Sequence, residues 1–530
     1  MHTDALAAKT LVSMTFAQRF MPTPVLHLPW GQSPRSGGEP PNLLVPGDRV
    51  HRPLSHQSRV VWAPDRGILF GWPAPFGTRP LYFAVDPDGI RLSSSALALV
   101  RLMSPGQEAI DPAGAIDHLG GEPSILSRTV FRGVSIVPAG SYLHVDPTHG
   151  RWALRPVRWP SAIPADEGNT AKTIGRAVAR SLDPQGTVVL LSGGLDSAIL
   201  LSVAARTGAA IRAVSLDDGS APRDVEQAAR LARLFGVAHR VVSLSTDQVV
   251  DAFRDAVLTT ESLLWNGRAA AKLAFYRELH RRGDRTLLSG VGADELFWGN
   301  PAWWDAPADT LCKALARLAA DRSWARLCAD DRVRVEAPVC PLDRPAMRRF
   351  LLEYTLPCST LPPETWSASR LAVDVRLPYL CLQVVRCALG HPWEALTQDG
   401  QGKLLLRRLA RATIPAEVAD APKMPVLARA PEPRSEQRQR WAAEFQRWVR
   451  PLGLFNKHVV ADWLLRYEHA PADDPDLSRL ERMLTRLASL SILRSACQDS
   501  HLGARALNGE LTVVRGSGSA GSSGSGASDG

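Results

Sequence analysis

Two glycine-rich turns, each between an apolar strand-like run and a helix-like one, constrain this chain more than any other feature. The first is Leu190-Leu191-Ser192-Gly193-Gly194-Leu195-Asp196-Ser197, directly after Thr187-Val188-Val189. The second is Leu288-Ser289-Gly290-Val291-Gly292-Ala293-Asp294-Glu295. Glycine lets a backbone turn tightly and leaves room for a large anion. The turn amides and the helix N-terminus then face that anion, which favours pyrophosphate. Ser192 and Ser197 add hydroxyl donors. A carboxylate such as Asp196 beside phosphates calls for an intervening cation, which points to Mg²⁺. The turn has no Walker lysine, so it is not an ordinary P-loop. In a doubly wound sheet, ligands sit at the carboxyl ends of the strands. Both turns can therefore face one nucleotide, and Asp196 and Asp294 can share the metal.

The surrounding pattern agrees. From about Thr170 an amphipathic segment (Ile174, Ala177, Val178, Leu182) leads into the first turn. A helical run at Ala198–Ala205 follows, then the apolar run 211–216, a helix over 225–235 and another apolar run at 240–244. Strands alternating with helices predict an α/β fold with a mostly parallel, doubly wound sheet. Upstream, short apolar runs at 67–71, 80–85, 89–92 and 141–145 are punctuated by Pro and Gly, which predicts a β-sandwich. Composition shifts after Pro160-Ser161-Ala162-Ile163-Pro164. The expected division is 1–165, 166–515 with a helical C-terminal region, and a flexible Gly/Ser tail at 516–530 outside the fold.

Composition narrows the class. At 45% hydrophobic and 22% charged residues the chain is of ordinary globular type. Its 62 Lys+Arg against 53 Asp+Glu leave a net charge of +9. The arginines are scattered through predicted helices rather than gathered in a basic tail, so no nucleic-acid partner is expected. No run approaches the ~18 apolar residues of a membrane helix, and no signal-peptide pattern opens the sequence, so no membrane partner and a cytoplasmic location are expected. The seven cysteines all lie at or after Cys312 and form no CxxC pair, which fits a reducing compartment.

SGGLDS followed by SGxGADE resembles the synthetase domain of the asparagine synthetase superfamily, ATP pyrophosphatases that adenylate a carboxylate and pass it to a nitrogen nucleophile. Further motifs carry the resemblance: Val214-Ser215-Leu216; Glu226 through His239; Val375-Arg376-Leu377-Pro378-Tyr379-Leu380 after Asp374; Lys403-Leu404-Leu405-Leu406-Arg407 with Ile414-Pro415; and Ala421-Pro422-Lys423-Met424-Pro425. Gly77-Thr78-Arg79-Pro80-Leu81-Tyr82, Val130–Val134 and Pro138-Ala139-Gly140 resemble the superfamily's N-terminal glutaminase-type domain. The resemblance implies ATP and Mg²⁺ as cofactors. It implies nucleotide contacts from Leu190, Ser192, Gly193, Gly194, Leu195, Asp196, Ser197, Val214, Ser289 and Gly290. Asp196 and Asp294 would hold the metal, and Lys423 would act as a catalytic charge near the adenylate.

The departures carry information too. Glutamine-dependent members begin Met-Cys; here residue 2 is His2, and the N-terminal region has no cysteine to act as the glutaminase nucleophile. Asparagine synthetases carry Glu, and β-lactam synthetases Tyr, where this chain has Val291. The branch that keeps the double architecture, loses the cysteine and varies the second turn is the lasso peptide cyclases. That resemblance implies macrolactam formation in a precursor peptide, with a leader peptidase and a leader-recognition protein as further partners. The alternatives are a small-molecule amide or β-lactam-type synthetase and a non-catalytic nucleotide-binding scaffold. Several residues stay open between roles. Lys403 suits a surface helix start as well as a phosphate contact. Asp374 and Arg376 read as a structural pair, Tyr354 as core, and Arg268 as a possible phosphate contact. Trp298, Trp303 and Trp304 fit either a peptide cavity or a core.

Overall fold

The computed structural model describes residues 12–15, 26–29, 59–63, 68–103, 109–119, 127–219, 222–301, 344–422, 435–449, 455–471, 474 and 476–498. Two antiparallel sheets come first. One has the order β1 (Val12–Thr15), β3 (Arg59–Ala63), β4 (Ile68–Trp72), β8 (Ser141–Asp146), β9 (Arg151–Pro156). The other runs β2 (Leu26–Pro29), β6 (Gly89–Ser93), β5 (Tyr82–Asp86), β7 (Val134–Ile136). Period-two alternation sends Leu69, Leu143 and Val145 from the first sheet inward, where they share a core with Leu81, Phe83, Ile90 and Leu92. The hairpin β5–β6 closes on Pro87-Asp88, and the Asp86 carboxylate accepts the amides of Asp88 and Gly89.

After β9 the chain runs extended to Asp166, whose side chain caps the helix Glu167–Arg180 by accepting the Asn169 amide at 2.7 Å. That helix buries Thr170, Ile174, Ala177 and Val178, one face at helical spacing. It packs on a five-stranded parallel sheet of order β12 (His239–Ser243), β11 (Ile211–Asp217), β10 (Thr187–Leu190), β13 (Thr286–Leu288), β14 (Asp374–Arg376). β10 and β13, covered on both faces, read as continuous apolar runs for that reason. The strand order reverses between β10 and β13, and each of these two strands ends in one of the glycine-rich turns. That reversal is the crevice where an open α/β sheet binds ligands.

The last helices, Ser435–Trp448, Lys457–His469 and Leu477–Gln498, do not form a separate unit. Their apolar faces share one core with the helices Ala96–Met103 and Phe253–Thr260 and with Tyr82 and Val134 of the second antiparallel sheet. Arg101 donates to the Ala496 carbonyl at 2.7 Å, and Arg486 donates to the Leu119 carbonyl at 2.8 Å. Both bonds tie the final helix to the N-terminal region. Among the described residues no helix is long and apolar enough to cross a membrane.

Candidate active site

The first turn is built to hold its amides in place. Gly193 has φ +77, and a Cβ there would lie 2.4 Å from the Asp224 carbonyl oxygen, so the turn closes directly against the helix Pro222–Leu234. Ser197 Oγ donates to the Gly194 carbonyl at 3.0 Å and accepts the Ser192 amide at 3.2 Å. The helix Leu195–Ala205 starts at Gly194 with no side-chain cap, which leaves its first-turn amides directed at the crevice. Tyr379 steadies the turn from below: its hydroxyl donates to the Asp196 carbonyl at 3.1 Å, and burial pushes its pKa well up, so it stays a donor. Val214 is buried, and its carbonyl accepts the Leu191 amide at 2.8 Å. Ser215 Oγ donates to the Leu191 carbonyl, which leaves it to accept from Nε2 of His239 at 2.8 Å.

The second turn touches the first. A Cβ on Gly290 would sit 3.1 Å from the Asp196 Cβ. Gly292 has φ +96 and starts the short helix Ala293–Phe297, which carries Asp294. Asp196 and Asp294 thus converge from two turns onto one point, and Lys403 occupies it. Lys403 Nζ lies 2.5 Å from Asp196 Oδ2 and 2.5 Å from Asp294 Oδ1. Sequence reading left Lys403 open to a surface role; instead it is 3% exposed. Burial alone would lower its pKa, but the two carboxylates outweigh that and raise it, so the ammonium is permanent.

Beneath the second turn lies a buried cluster that sequence reasoning missed. Ser289 Oγ donates to Glu364 Oε1 at 2.7 Å, and Lys272 Nζ lies 2.9 Å from Glu364 Oε2. Glu364 sits in a π-helical run, Leu351–Thr360 continuing through Pro362–Trp366. Nothing in the local sequence distinguishes this glutamate from a surface one.

Other residues fall where their local chemistry suggests. Arg376 bonds Asp374 at 2.9 Å and the Ser181 carbonyl at 3.0 Å, a structural lock at the edge of the sheet. Trp298 is core, packed edge-on to Trp393 at 4.3 Å. Tyr354, expected in the core, is half-buried with its ring tilted against Phe350 at 4.7 Å, and Arg268 is exposed at the start of the helix Arg268–Arg281. Lys423, Trp303, Trp304, the tail at 516–530 and any cavity wall built from 302–343 lie outside the described residues.

The donor set fits a divalent cation such as Mg²⁺. Asp196 Oδ1 is buried with no hydrogen-bond partner, and the two converging groups are hard carboxylate oxygens. Among the described residues no cluster of three or more His, Cys, Asp or Glu side chains could cage a metal alone. Phosphate oxygens or water would complete the coordination, as is usual for Mg²⁺.

Asparagine synthetase [glutamine-hydrolyzing] 3 of Bacillus subtilis is 22% identical over 416 residues, which are 69% of this chain and 66% of that protein. Amidase chry2 of Gibberella zeae is 24% identical over 301 residues, 51% of this chain and 42% of that protein. The chain therefore spans less than two thirds of the length of either relative. A solved NMN synthetase from Francisella tularensis is 15% identical, covering 39% of this chain and 93% of that one, at a TM-score of 0.20. The family described as asparagine synthase matches residues 169–492, a stretch holding both glycine-rich turns, Lys403 and the whole parallel sheet, and the chain belongs to that family.

Proposed function

We propose that this chain is an ATP-dependent amide-forming ligase that closes a macrolactam in a ribosomally made precursor peptide. On this reading ATP is cleaved to AMP and pyrophosphate, an Asp or Glu side-chain carboxylate of the peptide is adenylated, and the peptide's own α-amine attacks it. The observation that carries the ligase chemistry is the meeting of Asp196, Asp294 and Lys403 at the crevice between β10 and β13. The first-turn amides of Leu195–Ala205 bind the phosphates and the exposed Ser192 presents a hydroxyl beside them, while the buried Ser197, expected from the sequence as a second donor, spends its proton on the Gly194 carbonyl and braces the turn. Asp196 and Asp294 would hold Mg²⁺, which when bound would supply charge compensation for pyrophosphate. Lys423 adds a positive charge near the adenylate. Val291 brings no side-chain base, so beside the Lys423 charge the chain's main contribution to bond formation is positioning, worth up to ~7–11 kcal/mol in ideal cases, and the amine's proton leaves to pyrophosphate, water or another residue.

The macrocyclase reading rests on the resemblance and on Val291 and the cysteine-free N-terminal region. A second reading, a small-molecule amide ligase, is favoured by the asparagine synthetases among the relatives. Incubation of the enzyme with ATP and candidate precursors separates them. The expected result is AMP, pyrophosphate and a peptide that has lost one water, with added amines failing to intercept it. Efficient conversion of aspartate and ammonia to asparagine would overturn the macrocyclase reading, and release of ADP and phosphate would overturn the adenylation.

A further inference from the structure

The Asp196–Asp294 pair already holds a cation, the ammonium of Lys403, and that contact is built into the backbone. Lys403 sits at φ +59, a left-handed conformation that a side-chain-bearing residue adopts only when its surroundings impose it. Its amide donates to the Phe297 carbonyl at 3.0 Å, and its carbonyl accepts the Arg407 amide at 2.9 Å. Gly299 makes the space: a Cβ there would fall 1.9 Å from Asp294 Oδ1 and 2.1 Å from Lys403 Cε. Two carboxylates and one ammonium sum to a single negative charge. A bare divalent ion on the open Asp196 Oδ1 would sit against the ammonium that both carboxylates already hold, and one on Asp196 Oδ2 and Asp294 Oδ1 would have to take the ammonium's place, because both oxygens lie 2.5 Å from Nζ. A metal arriving on a polyphosphate brings anionic oxygens to which the displaced ammonium can turn.

We propose that Lys403 is an internal counter-cation that closes the Asp196–Asp294 pair to free divalent metal and yields it to metal carried on nucleotide phosphates. Lys403 is then a positioning residue that couples metal binding to phosphate binding. By linkage each ligand tightens the other by the same factor. The proposal rests on the phosphate-and-metal reading of the site given above, and its test separates the two.

The probe is Mn²⁺, titrated into the full chain and followed by the EPR signal of the free ion, first alone and then with inorganic pyrophosphate. Wild type is expected to bind Mn²⁺ weakly alone and more tightly with pyrophosphate. Lys403→Met should bind Mn²⁺ alone at least about ten-fold more tightly than wild type, since a neighbouring charge shifts a titrating site by ~1–3 log units. The gain from pyrophosphate should shrink in that variant. Lys403→Arg should behave as wild type, and Asp196→Asn in the Lys403→Met background should abolish the new binding. Lys403→Gln gives the same reading if the methionine variant fails to fold. Equal Mn²⁺ affinity of wild type and Lys403→Met without pyrophosphate, weak or strong, overturns the proposal. Absence of Mn²⁺ binding in every protein even with pyrophosphate overturns the underlying reading of the site as well.

Discussion

Replacing Glu364 with Gln removes a charge from a buried cluster. Glu364 is 4% exposed, its Oε2 lies 2.9 Å from Lys272 Nζ, and its Oε1 accepts from Ser289. Removing one partner of a fully buried pair costs about 3–5 kcal/mol, because the other charge is stranded. Lys272 keeps a fifth of its side-chain surface in water, so the cost falls below that range, to about 2–3 kcal/mol. The pH dependence has a definite sign. Burial alone would raise the Glu364 carboxyl, but the Lys272 ammonium and the bond from Ser289 outweigh it and hold the group below its ordinary value. A carboxylate depressed in the folded state contributes stability that is full above its unfolded pKa of about 4.3 and is lost as the pH falls through the folded value. The gap between wild type and variant should therefore be constant near neutrality and close on acidification below about pH 4. Urea unfolding midpoints followed by tryptophan fluorescence at pH 7 and in acid measure both quantities. The double variant Lys272→Met/Glu364→Leu should recover at least half the loss, as apolar replacement of a buried pair commonly does. A penalty under about 0.5 kcal/mol at pH 7, within the range of surface substitutions, would refute the reasoning, as would a gap that widens in acid.

Three further outcomes follow from the site. Asp196→Ala should abolish pyrophosphate release while the chain stays folded, since the phosphates lose their metal bridge; undiminished release would reject the assignment. Gly299→Ala should cut ATP turnover by about 10²-fold and also lower thermal stability, because its Cβ displaces both Asp294 Oδ1 and the buried Lys403 Cε; normal kinetics would show that their contact is dispensable. Arg407→Met leaves the carbonyls of Gly402, Ala419 and Ala421 without the guanidinium they share at 2.8–2.9 Å. A loss of about 2–4 kcal/mol is expected in thermal or chemical unfolding, and an unchanged midpoint would refute it.

What the sequence made legible followed from local rules. β4, β5, β6 and β8 fall on the four apolar runs bounded by Pro and Gly, and the alternation from Thr170 onward matches β10 to β12 and their helices. Those elements carry their own period and their own stops. β14 does not. Asp374-Val375-Arg376 is three residues long with two charged, and it becomes a strand only because β13 offers it a free edge. Lys403 was ambiguous because its partners lie 207 residues upstream in Asp196 and more than a hundred in Asp294. A lysine before an amphipathic helix looks the same whether it meets water or two carboxylates. Glu364 was invisible for a related reason: its partners Lys272 and Ser289 come from a helix and a strand end, and no spacing relates them. The merging of the last three helices with the N-terminal region was illegible too, since an apolar helix face names no partner.

The same contacts explain what an N-terminal half without a cysteine does for the crevice. The turn Gly77-Thr78-Arg79 grips the end of the π-helical run. Trp366 Nε1 donates to the Gly77 carbonyl at 3.1 Å, Thr365 Oγ1 donates to the Thr78 carbonyl at 2.6 Å, and the Arg79 guanidinium donates to the Thr365 carbonyl. Burial brings Arg79 down to about 10, so it is still charged at neutral pH. Two glycines let the sandwich approach the earlier turns of the run. A Cβ on Gly77 would lie 2.9 Å from Pro357 Cβ, and one on Gly140 would lie 2.2 Å from Glu353 Oε1. Both have positive φ, so two separate turns of the sandwich are shaped to this helix. Glu364 is the residue before Thr365, and it holds Ser289 in the second glycine-rich turn. The path from Thr78 to that turn is thus one backbone carbonyl, two adjacent helix residues and one carboxylate. A run containing Pro357 cannot complete its own hydrogen-bond ladder and needs outside support to keep a fixed shape. The sandwich supplies that support, and the Glu364 carboxylate carries it to the Ser289 hydroxyl.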